Sequence, residues 1–329
     1  MKNKLMRLNS LKVGISILFF VSFILSCKTQ APKAVVQPST HTVDTTSLVK
    51  SLFWEINGKN LPKPSYLYGT IHIIDKADFY LPPILEEKLK QCDNVSFEID
   101  LADMNNLGAL FTLLKEAMMK EGVKLRDLVS TEEYALIKDY FQKLGLPMVM
   151  LERVKPMFLS MLATGDGSIS DFSNGDMMSY EMEIYDLAKL HQKPTSGLET
   201  IEYQVSLFDS IPYADQAKML VNSVQNASEG SSELDSTTIL YREQDIEAMV
   251  TMVGADEGIG KYEQILLINR NQNWIPHISK MMQKAPSFFA VGAGHLGGKN
   301  GVIRLLMKAG YEVKPIAFKF GEGPKTFKL

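Results

Sequence analysis

The stretch that decides the fold is "SFFAVGAGH", residues 287–295. Its apolar run is typical of a buried strand, and this strand leads into two glycines and His295. The next residues, "GVIRLLMKAG" (301–310), have the apolar spacing of a helix, and "YEVKPIAF" (311–318) has that of another strand. A strand, a helix and a strand in succession typically form a crossover between parallel strands. We therefore predict an α/β fold whose sheet is at least partly parallel.

A second stretch, "SYLYGTIH" (65–72), resembles the first, because it is a strand that contains Gly69 and leads to His72. It follows "SLFWEINGKN" (51–60), a strand that ends at the turn signal Asn-Gly. Two strands around such a turn predict a β-hairpin. A hairpin adds antiparallel pairing, so we expect a mixed sheet.

Acidic residues follow two further strands. "NVSFEID" (94–100) has the pattern of a strand with Glu98 near its carboxyl end. "KPTSGLETIEYQ" (193–204) has that of a short strand that turns and places Glu199 at the entrance to a helix. Each acid therefore occupies the same kind of position as the histidines.

Most of the remaining chain has helical spacing. Residues 104 to about 190 and 211–284 are predicted to be helices, and Ser130 with Glu133 forms the capping box of one of them. The fold class that we predict is thus α/β (α+β), a mixed sheet with large helical insertions.

The four residues at strand ends predict a single site. Ligands of open α/β sheets gather beyond the carboxyl ends of the strands, where His72, Glu98, Glu199 and His295 would meet. Two imidazoles and one or two carboxylates are the ligand set expected for a catalytic divalent metal with an open position for water. Three nearby glycines would let backbone or substrate approach closely, and they are Gly69, Gly292 and Gly294.

Each of these residues also has a structural interpretation. The histidines could be held by neighbouring polar groups, and the two acids could be ordinary helix N-terminal acids. Arg270, in "INRNQNW", lies on a predicted helix, where its residue type favours a solvated or ion-paired surface position; only the apolar residues before it indicate an enclosed one. The sequence contains no serine-nucleophile, phosphate-loop or His-Glu-x-x-His motif.

The first 26 residues predict an export signal. Four basic residues precede the apolar run "VGISILFFVSFIL" (13–25), which is too short to span a bilayer. The run ends in "ILSC" (24–27), which resembles the lipobox of bacterial lipoproteins, so Cys27 is the expected lipidation site. We expect residues 27–47 to be a flexible tether and residues 48–329 to form the domain, exported and lipid-anchored to a bacterial membrane, the outer rather than the inner.

Charge and cysteine content exclude some functions. Removal of the signal, which holds four positive charges and no acid, would take the net charge from −3 to −7. An acidic protein without a basic patch has no electrostatic case for nucleic acid. Cys92 would be the only remaining thiol apart from the lipidated one, so no internal disulfide is expected.

Several motifs together resemble a known family. They are "GTIH" (69–72), "FEID" (97–100), "GLETIEYQ" (197–204), "NRNQNW" (269–274) and "VGAGHLGGKNGVIRLLMKAGYEV" (291–313). Their order and spacing are similar to those of the TraB/GumN family (TraB/PrgY/GumN), which is related to the Tiki proteases and, more distantly, to erythromycin esterase-like and haem-binding ChaN-like proteins. The resemblance covers about residues 48 to 319 and implies a TraB/Tiki-like fold.

The resemblance also implies an activity, which is metal-dependent peptide hydrolysis with manganese or cobalt in preference to zinc. It implies that His72 and His295 bind or support the metal, Glu98 is a ligand or general base, Glu199 is a second acid, and Arg270 is an oxyanion or carboxylate partner. The leading hypothesis is therefore a membrane-anchored metal-dependent hydrolase, most plausibly a peptidase.

Two alternatives stay open. One is a regulatory lipoprotein of the same fold that binds a peptide or small ligand without turnover. The other is a metal-independent, esterase-like hydrolase with histidine as the general base. The loop "IIDKADFYLPP" (73–83) departs from the proline-containing loop of many relatives, so the substrate, a peptide or a small molecule, stays undetermined.

Overall fold

The computed structural model describes residues 47–103, 107–164, 177–228, 233–255 and 258–321. The export signal, the lipidation of Cys27 and all but the last residue of the tether fall outside these ranges and stay predictions.

A six-stranded mixed sheet forms the centre of the fold. Its strands are β1 (Phe53–Asn57), β2 (Ser65–Thr70), β4 (Asn94–Phe97), β6 (Thr195–Gly197), β7 (Ser287–Gly292) and β8 (Glu312–Pro315). Their order across the sheet is β6-β4-β7-β2-β1-β8. Neighbours from β6 to β2 are parallel, whereas β1 is antiparallel to both β2 and β8. The predicted hairpin, the partly parallel sheet and the α/β class are confirmed.

The two central strands are buried along their whole length. Every residue of β2 and of β7 is buried. Strands that are covered on both faces require such continuous burial, because helices pack against each side of a parallel sheet. A separate two-stranded ribbon pairs β3 (Ile74–Asp75) with β5 (Met177–Met178).

The described helices account for the predicted insertions. In chain order they are α1 (Pro83–Lys90), α2 (Leu107–Glu116), α3 (Thr131–Lys143), α4 (Met148–Leu151), α5 (Pro156–Thr164), α6 (Tyr180–Leu190), α7 (Ile201–Val205), α8 (Tyr213–Ser228), α9 (Glu233–Arg242), α10 (Ile246–Ala255), α11 (Asn269–Lys284) and α12 (Val302–Lys308). The Ser130 capping box begins α3 as predicted, because the Ser130 hydroxyl accepts from the Glu133 backbone N–H and the Glu133 carboxylate accepts from the Ser130 N–H.

The protein has more than one hydrophobic core. The largest surrounds the sheet and includes Leu85, Ile184, Ile278 and Ile303 from the covering helices. A second one lies within the insertion, where α3, α5 and α8 pack through residues such as Phe141. The described residues contain no helix that is long and apolar enough to cross a membrane. Cys92 is a buried free thiol, and burial raises its pKa to about 12.

Candidate active site

The carboxyl ends of four strands meet at one edge of the sheet. The parallel registers align Thr70 with Gly292 and Phe97 with both Ala290 and Gly197. The two histidines and the two acids each follow one of these strand ends within a few positions, and the backbone N–H of Glu199 donates to the carbonyl of Glu98 over 2.9 Å. The structure thus brings the two histidines and the two acids together at one edge of the sheet, as predicted.

Arg270 lies at the centre of this convergence. Its Nη2 donates to Glu98 Oε2 (2.6 Å) and to Glu199 Oε1, and its Nε donates to Glu199 Oε1 (2.9 Å). Its Nη1 donates to His295 Nε2 (3.0 Å) and to the Leu266 carbonyl (3.3 Å). All five N–H groups of the guanidinium therefore have an acceptor within the protein.

The surface position expected for Arg270 was wrong, since its side chain is 0% exposed. The two carboxylates compensate its charge, which is what allows an arginine to be buried. The carboxylate-partner role is consistent with these contacts. An oxyanion role would require one of the five N–H groups to leave its present acceptor.

A π-helical turn, Gln264–Ile268, directly precedes the helix that carries Arg270. Such turns frequently occur at functional sites. Here the Leu266 carbonyl, within the turn, accepts from Arg270. Trp274, one turn further along α11, donates its indole N–H to Glu199 Oε2 over 3.0 Å.

Glu199 is consequently a structural partner of α11. Gln204 also donates to its Oε1 over 2.7 Å. The helix after Glu199 is capped by Thr200 instead, which accepts from the Tyr203 N–H. The interpretation of Glu199 as an ordinary helix N-terminal acid is therefore wrong.

His295 is buried and neutral. It lies in a 3-10 turn, Ala293–His295, and its Nδ1 is 2.6 Å from the side-chain oxygen of Asn271. The Asn271 amide nitrogen donates to the Asn300 carbonyl, so its oxygen must face the imidazole, and Nδ1 carries the proton. Burial, the positive charge of Arg270 and that of His72 lower the pKa of His295 well below its usual value. Its Nε2 is thus an acceptor for Arg270.

His72 has the opposite surroundings. Its Nδ1 is 2.8 Å from Oε1 of Glu181, a carboxylate on α6 that is 4% exposed. Thr70 donates to the same oxygen over 2.6 Å, and Ser179 donates to Oε2 over 3.2 Å. Burial opposes the charged imidazole, but the charge and hydrogen bond of Glu181 outweigh it and raise the pKa of His72. The pKa of Glu181 is lowered, since His72 and Thr70 outweigh its own burial.

Sequence reasoning missed Glu181. Its position in the first turn of α6, two residues after the Ser179 cap, is that of an ordinary acid at a helix N-terminus. It also lies in the helical insertion of residues 104 to about 190, where the sequence predicted no site residue. The available signal was that the apolar face of α6 contains this one acid between Tyr180 and Ile184, all three buried.

Glu98 connects the two halves of the site. Its Oε1 accepts from the Gly292 N–H over 2.8 Å, and its Oε2 accepts from Arg270. Burial raises the pKa of Glu98, against the effect of Arg270. A carboxyl group with a raised pKa inside a polar pocket is a common feature of acid–base sites.

The predicted glycines differ in what surrounds them. A Cβ on Gly292 would lie 3.2 Å from Glu98 Oε1, 3.6 Å from His295 Cδ2 and 4.0 Å from His72 Nε2, so this glycine borders the space between the three side chains. A Cβ on Gly69 would be within 3.2 Å of Ala293 and Leu296, which shows a close approach of the turn to β2. At Gly294 no described atom lies within 4 Å, so substrate approach there stays a prediction.

The predicted metal ligands are of the right chemical type, but their arrangement does not fit a ready-made metal centre. Nε2 of His295 accepts from Arg270, and both oxygens of Glu98 accept from protein N–H groups. In the part of the chain that the structure describes, no group of three or more His, Cys, Asp and Glu side chains could hold a metal ion. The set of His72, His295 and Glu98 would therefore have to rearrange around Arg270 before it could bind one.

Comparisons with known proteins support the family resemblance. The family model described as TraB/PrgY/gumN family matches residues 52–315. The chain is 23% identical to Metalloprotease TIKI1 of Danio rerio over 323 residues, which cover 81% of this chain and 63% of that protein. It is 23% identical to Metalloprotease TIKI1 of Homo sapiens (82% and 62% covered) and 22% identical to Metalloprotease TIKI2 of Danio rerio (81% and 61% covered).

The chain thus spans about three-fifths of the length of these relatives. No solved structure matches it significantly. The matched region of the family model contains every residue of the site, from His72 to His295, and includes most of the domain. On this evidence the chain belongs to the TraB/PrgY/gumN family.

Proposed function

We propose that the protein is a hydrolase that cleaves peptide bonds, with His72 as the central reacting group. The observation that carries the proposal is the contact between His72 and Glu181, in which a buried carboxylate binds Nδ1 and directs Nε2 towards Gly292 and Glu98. A base oriented by a third group is the arrangement that hydrolases use to activate a nucleophile. The distant similarity to proteins named metalloproteases supports a peptide as the substrate class.

In the proposed reaction, Nε2 of His72 accepts a proton from a water molecule that attacks the peptide carbonyl. The carbon–nitrogen bond then breaks, and the departing amine takes up a proton. We assign the supply of this proton to Glu98, whose raised pKa lets it hold a proton more readily than an exposed glutamate. The proton on His72 then passes to Glu98, which restores both groups. Arg270 keeps a positive charge 2.6 Å from Glu98 and holds its carboxylate in place.

The relatives are named metalloproteases, which suggests that a divalent cation takes part in the reaction. Manganese or cobalt would be the metal implied by the family resemblance, and His72, His295 and Glu98 would be its ligands. Since Arg270 now occupies Nε2 of His295, we assign no step to the cation. Metal-independent hydrolysis is the second candidate, because the contact between His72 and Glu181 provides an oriented base without any metal.

The proposal also includes the location of the protein. The export signal and Cys27 support a lipoprotein held at a bacterial membrane, in a compartment outside the cytoplasm. Peptides or small molecules of that compartment would be its substrates.

The experiment that tests the proposal is a screen of the full chain against a peptide library, with mass spectrometry of the products. The matched control is His277→Ala, which removes an exposed histidine of α11. The wild type and both variants, His72→Ala and His277→Ala, would each be assayed with a chelator and with added Mn²⁺, Co²⁺ or Zn²⁺. We expect cleavage by the wild type and by His277→Ala, and none by His72→Ala.

The cation dependence of the cleavage separates the two candidates. Calorimetric titration of the same three metals measures binding independently of activity. Peptide binding without cleavage under every condition would contradict the hydrolase and favour the regulatory lipoprotein.

A further inference from the structure

The helical insertion exposes an apolar patch on the side of α2 that faces away from the sheet core. Its members, which we call the apolar patch, are Phe111 (70% exposed), Leu114 (50%), Met118 (37%), Val149 (85%) and Met150 (67%). Phe111 and Leu114 are spaced by three residues, which places them on one face of α2, and Met118 follows two residues after the helix ends. Leu113, on the opposite face, is buried against the sheet core.

Backbone hydrogen bonds bring the two parts of the patch together. Met118 and Val154 form an antiparallel bridge, and the Met119 N–H donates to the Arg153 carbonyl over 2.7 Å. The Lys155 N–H donates to the Ala117 carbonyl over 2.8 Å. The end of α2 is therefore fixed beside the segment that follows α4, and α4 carries Val149 and Met150.

A soluble monomer rarely exposes so many large apolar side chains in one place. Two basic residues lie next to members of the patch: Lys115 follows Leu114 in the chain, and the carbonyl of Arg153 accepts from the N–H that follows Met118. Both are exposed. Apolar side chains with lysine and arginine at their margin are typical of helices that lie in the interface of a membrane. The long stems of the basic side chains can follow the apolar residues down while their charges reach the lipid headgroups.

The length of chain between Cys27 and the described domain determines whether the apolar patch can reach the lipid bilayer. Nineteen residues, 28–46, separate Cys27 from the first described residue, and nineteen residues extend over at most about 65 Å. A domain of this size is roughly 50 Å across. A domain that is tethered at Cys27 can thus turn any of its faces to the bilayer and stays within a few nanometres of it.

We propose that the apolar patch docks the domain on the surface of the lipid bilayer that holds its N-terminus. The inference rests on the membrane location in the proposed function, but it does not depend on catalysis. It assigns the side chains at Phe111 and Val149 to the region between headgroups and acyl chains, and it places the active site at a fixed orientation to the membrane.

The test uses the full chain bound to vesicles of phosphatidylcholine and phosphatidylglycerol. An environment-sensitive fluorophore is attached to Val149→Cys, or to Ile239→Cys as the matched control. Ile239 is another exposed apolar residue (57%), on α9, outside the patch. Buried Cys92, whose thiol pKa is raised to about 12 by burial, does not compete for the label. The chain without either substitution gives the background from Cys27.

We expect the emission at position 149 to rise at least about two-fold on vesicles and to be quenched by brominated acyl chains, as for a side chain at interfacial depth. Emission at position 239 should change little. Adding Phe111→Glu to the Val149→Cys variant should remove most of the rise, and this exposed substitution should leave folding intact.

Each other outcome would overturn the proposal. If the protein floats with the vesicles but the emission changes equally at positions 149 and 239, the lipid anchor is supported and docking through the patch is excluded. A rise at position 149 without vesicles, dependent on protein concentration, would identify a second copy of the chain as the occupant. Absence of flotation would exclude both anchor and docking, while peptide cleavage in the same preparation would be unaffected.

Discussion

His72 and His295 occur in the same motif, Gly-x-x-His, and yet their surroundings shift their pKa values in opposite directions. Asn271 and Arg270 hold His295 neutral, whereas Glu181 favours the positive charge on His72. The environment of a histidine, more than its motif, therefore decides what it can do. Of the two, His72 is the one suited to proton transfer, since its side chain is 22% exposed and that of His295 is fully buried.

The first prediction concerns Glu181→Gln. Loss of its charge should reduce peptide cleavage by roughly 10²-fold, the scale of a general acid–base contribution. Glu181 raises the pKa of His72, so the wild-type rate should fall as pH drops through that raised value. In the variant this acid limb should move to lower pH. The measurement is kcat against pH, with Glu183→Gln on the same helix as control, and an unchanged profile would contradict the role of Glu181.

The second prediction compares Gly292→Ala with Gly254→Ala, a matched glycine on α10 outside the site. The added Cβ at position 292 would lie 3.2 Å from Glu98 Oε1 and would narrow the space beside His72. We expect activity to fall at least about ten-fold, because misplacement by about an ångström is costly in an active site. A Cβ on Gly254 would lie 3.6 Å from Glu263 Oε2, an ordinary contact distance, so this variant should keep near wild-type activity. Kinetic assays beside thermal unfolding would separate this effect from a loss of stability; equal activities would refute it.

The sequence predicted those site residues that stand at strand ends, because an apolar run followed by glycine and histidine, or by an acid, is a local pattern. His72, Glu98, Glu199 and His295 are of this kind. Glu181 was not predictable in the same way, since its partner is 109 residues away in the chain. A helix N-terminal acid has the same local pattern whether it contacts water or a buried histidine.

At the scale of elements, α11 shows why helix prediction did not give the direction of its side chains. The helix was predicted correctly, but the charge of Arg270 favoured the solvent side. Its buried face in fact consists of Arg270, Asn271, Trp274, Ile278 and Met282, which mixes polar and apolar residues. Glu98, just after β4, and Glu199, after β6, compensate the charge of Arg270 and so allow this face to be buried. Both acids come from other parts of the chain.

The third prediction concerns a cluster that joins the elements of the insertion. Glu152, just after α4, accepts from Arg126 through both oxygens (2.7 Å each) and from the Tyr134 hydroxyl on α3 (2.6 Å). The hydrogen bond from Arg126 lowers the pKa of Glu152 to about 2 in spite of its partial burial. Because this pKa is lowered, the stabilisation is present above about pH 4.5, the ordinary value, and is lost as pH falls towards 2.

Glu152→Gln should therefore reduce the free energy of unfolding at neutral pH by about 1–3 kcal/mol, the cost of hydrogen bonds to a charged group. The variant should also lose part of the acid-induced decrease in stability that the wild type shows. Urea unfolding at several pH values measures both effects. The control is Glu243→Gln, whose contact with Lys50 is more than half exposed and should contribute below about 1 kcal/mol. Equal losses for the two variants would contradict the prediction.

At the scale of the whole molecule, the site joins segments that are far apart in the chain. Arg270 lies 172 residues from Glu98, yet their side chains are in contact. The sheet order brings this about, since β4 and β7 are neighbours and their carboxyl ends align. The order of strands β6-β4-β7-β2 was not predictable from local patterns, because crossovers permit several orders. The mixed pairing was predictable in part, since the hairpin accounts for the antiparallel pair of β1 and β2. The predicted crossover joins β7 to β8, but these strands are not neighbours, and β8 pairs antiparallel with β1.

The last prediction is that Arg270 stabilises the whole fold as well as the site. In Arg270→Met, the buried carboxylates of Glu98 and Glu199 would lose their compensating charge, which should lower the free energy of unfolding by about 3–5 kcal/mol. The matched variant Arg242→Met removes an ion pair with Asp78 in which the arginine side chain is 49% exposed, and it should cost below about 1 kcal/mol.

The pH dependence of this loss distinguishes missing charge from missing packing. Burial raises the pKa of Glu98, and in Arg270→Met the arginine charge no longer opposes this rise, so acidification should protonate Glu98 and part of the lost stability should return as pH falls towards 5. A packing defect would give the same loss at every pH. If urea unfolding shows that constant loss, Arg270 stabilises the protein through its volume, and the charge network that joins β4, β6 and α11 is not what holds these elements together.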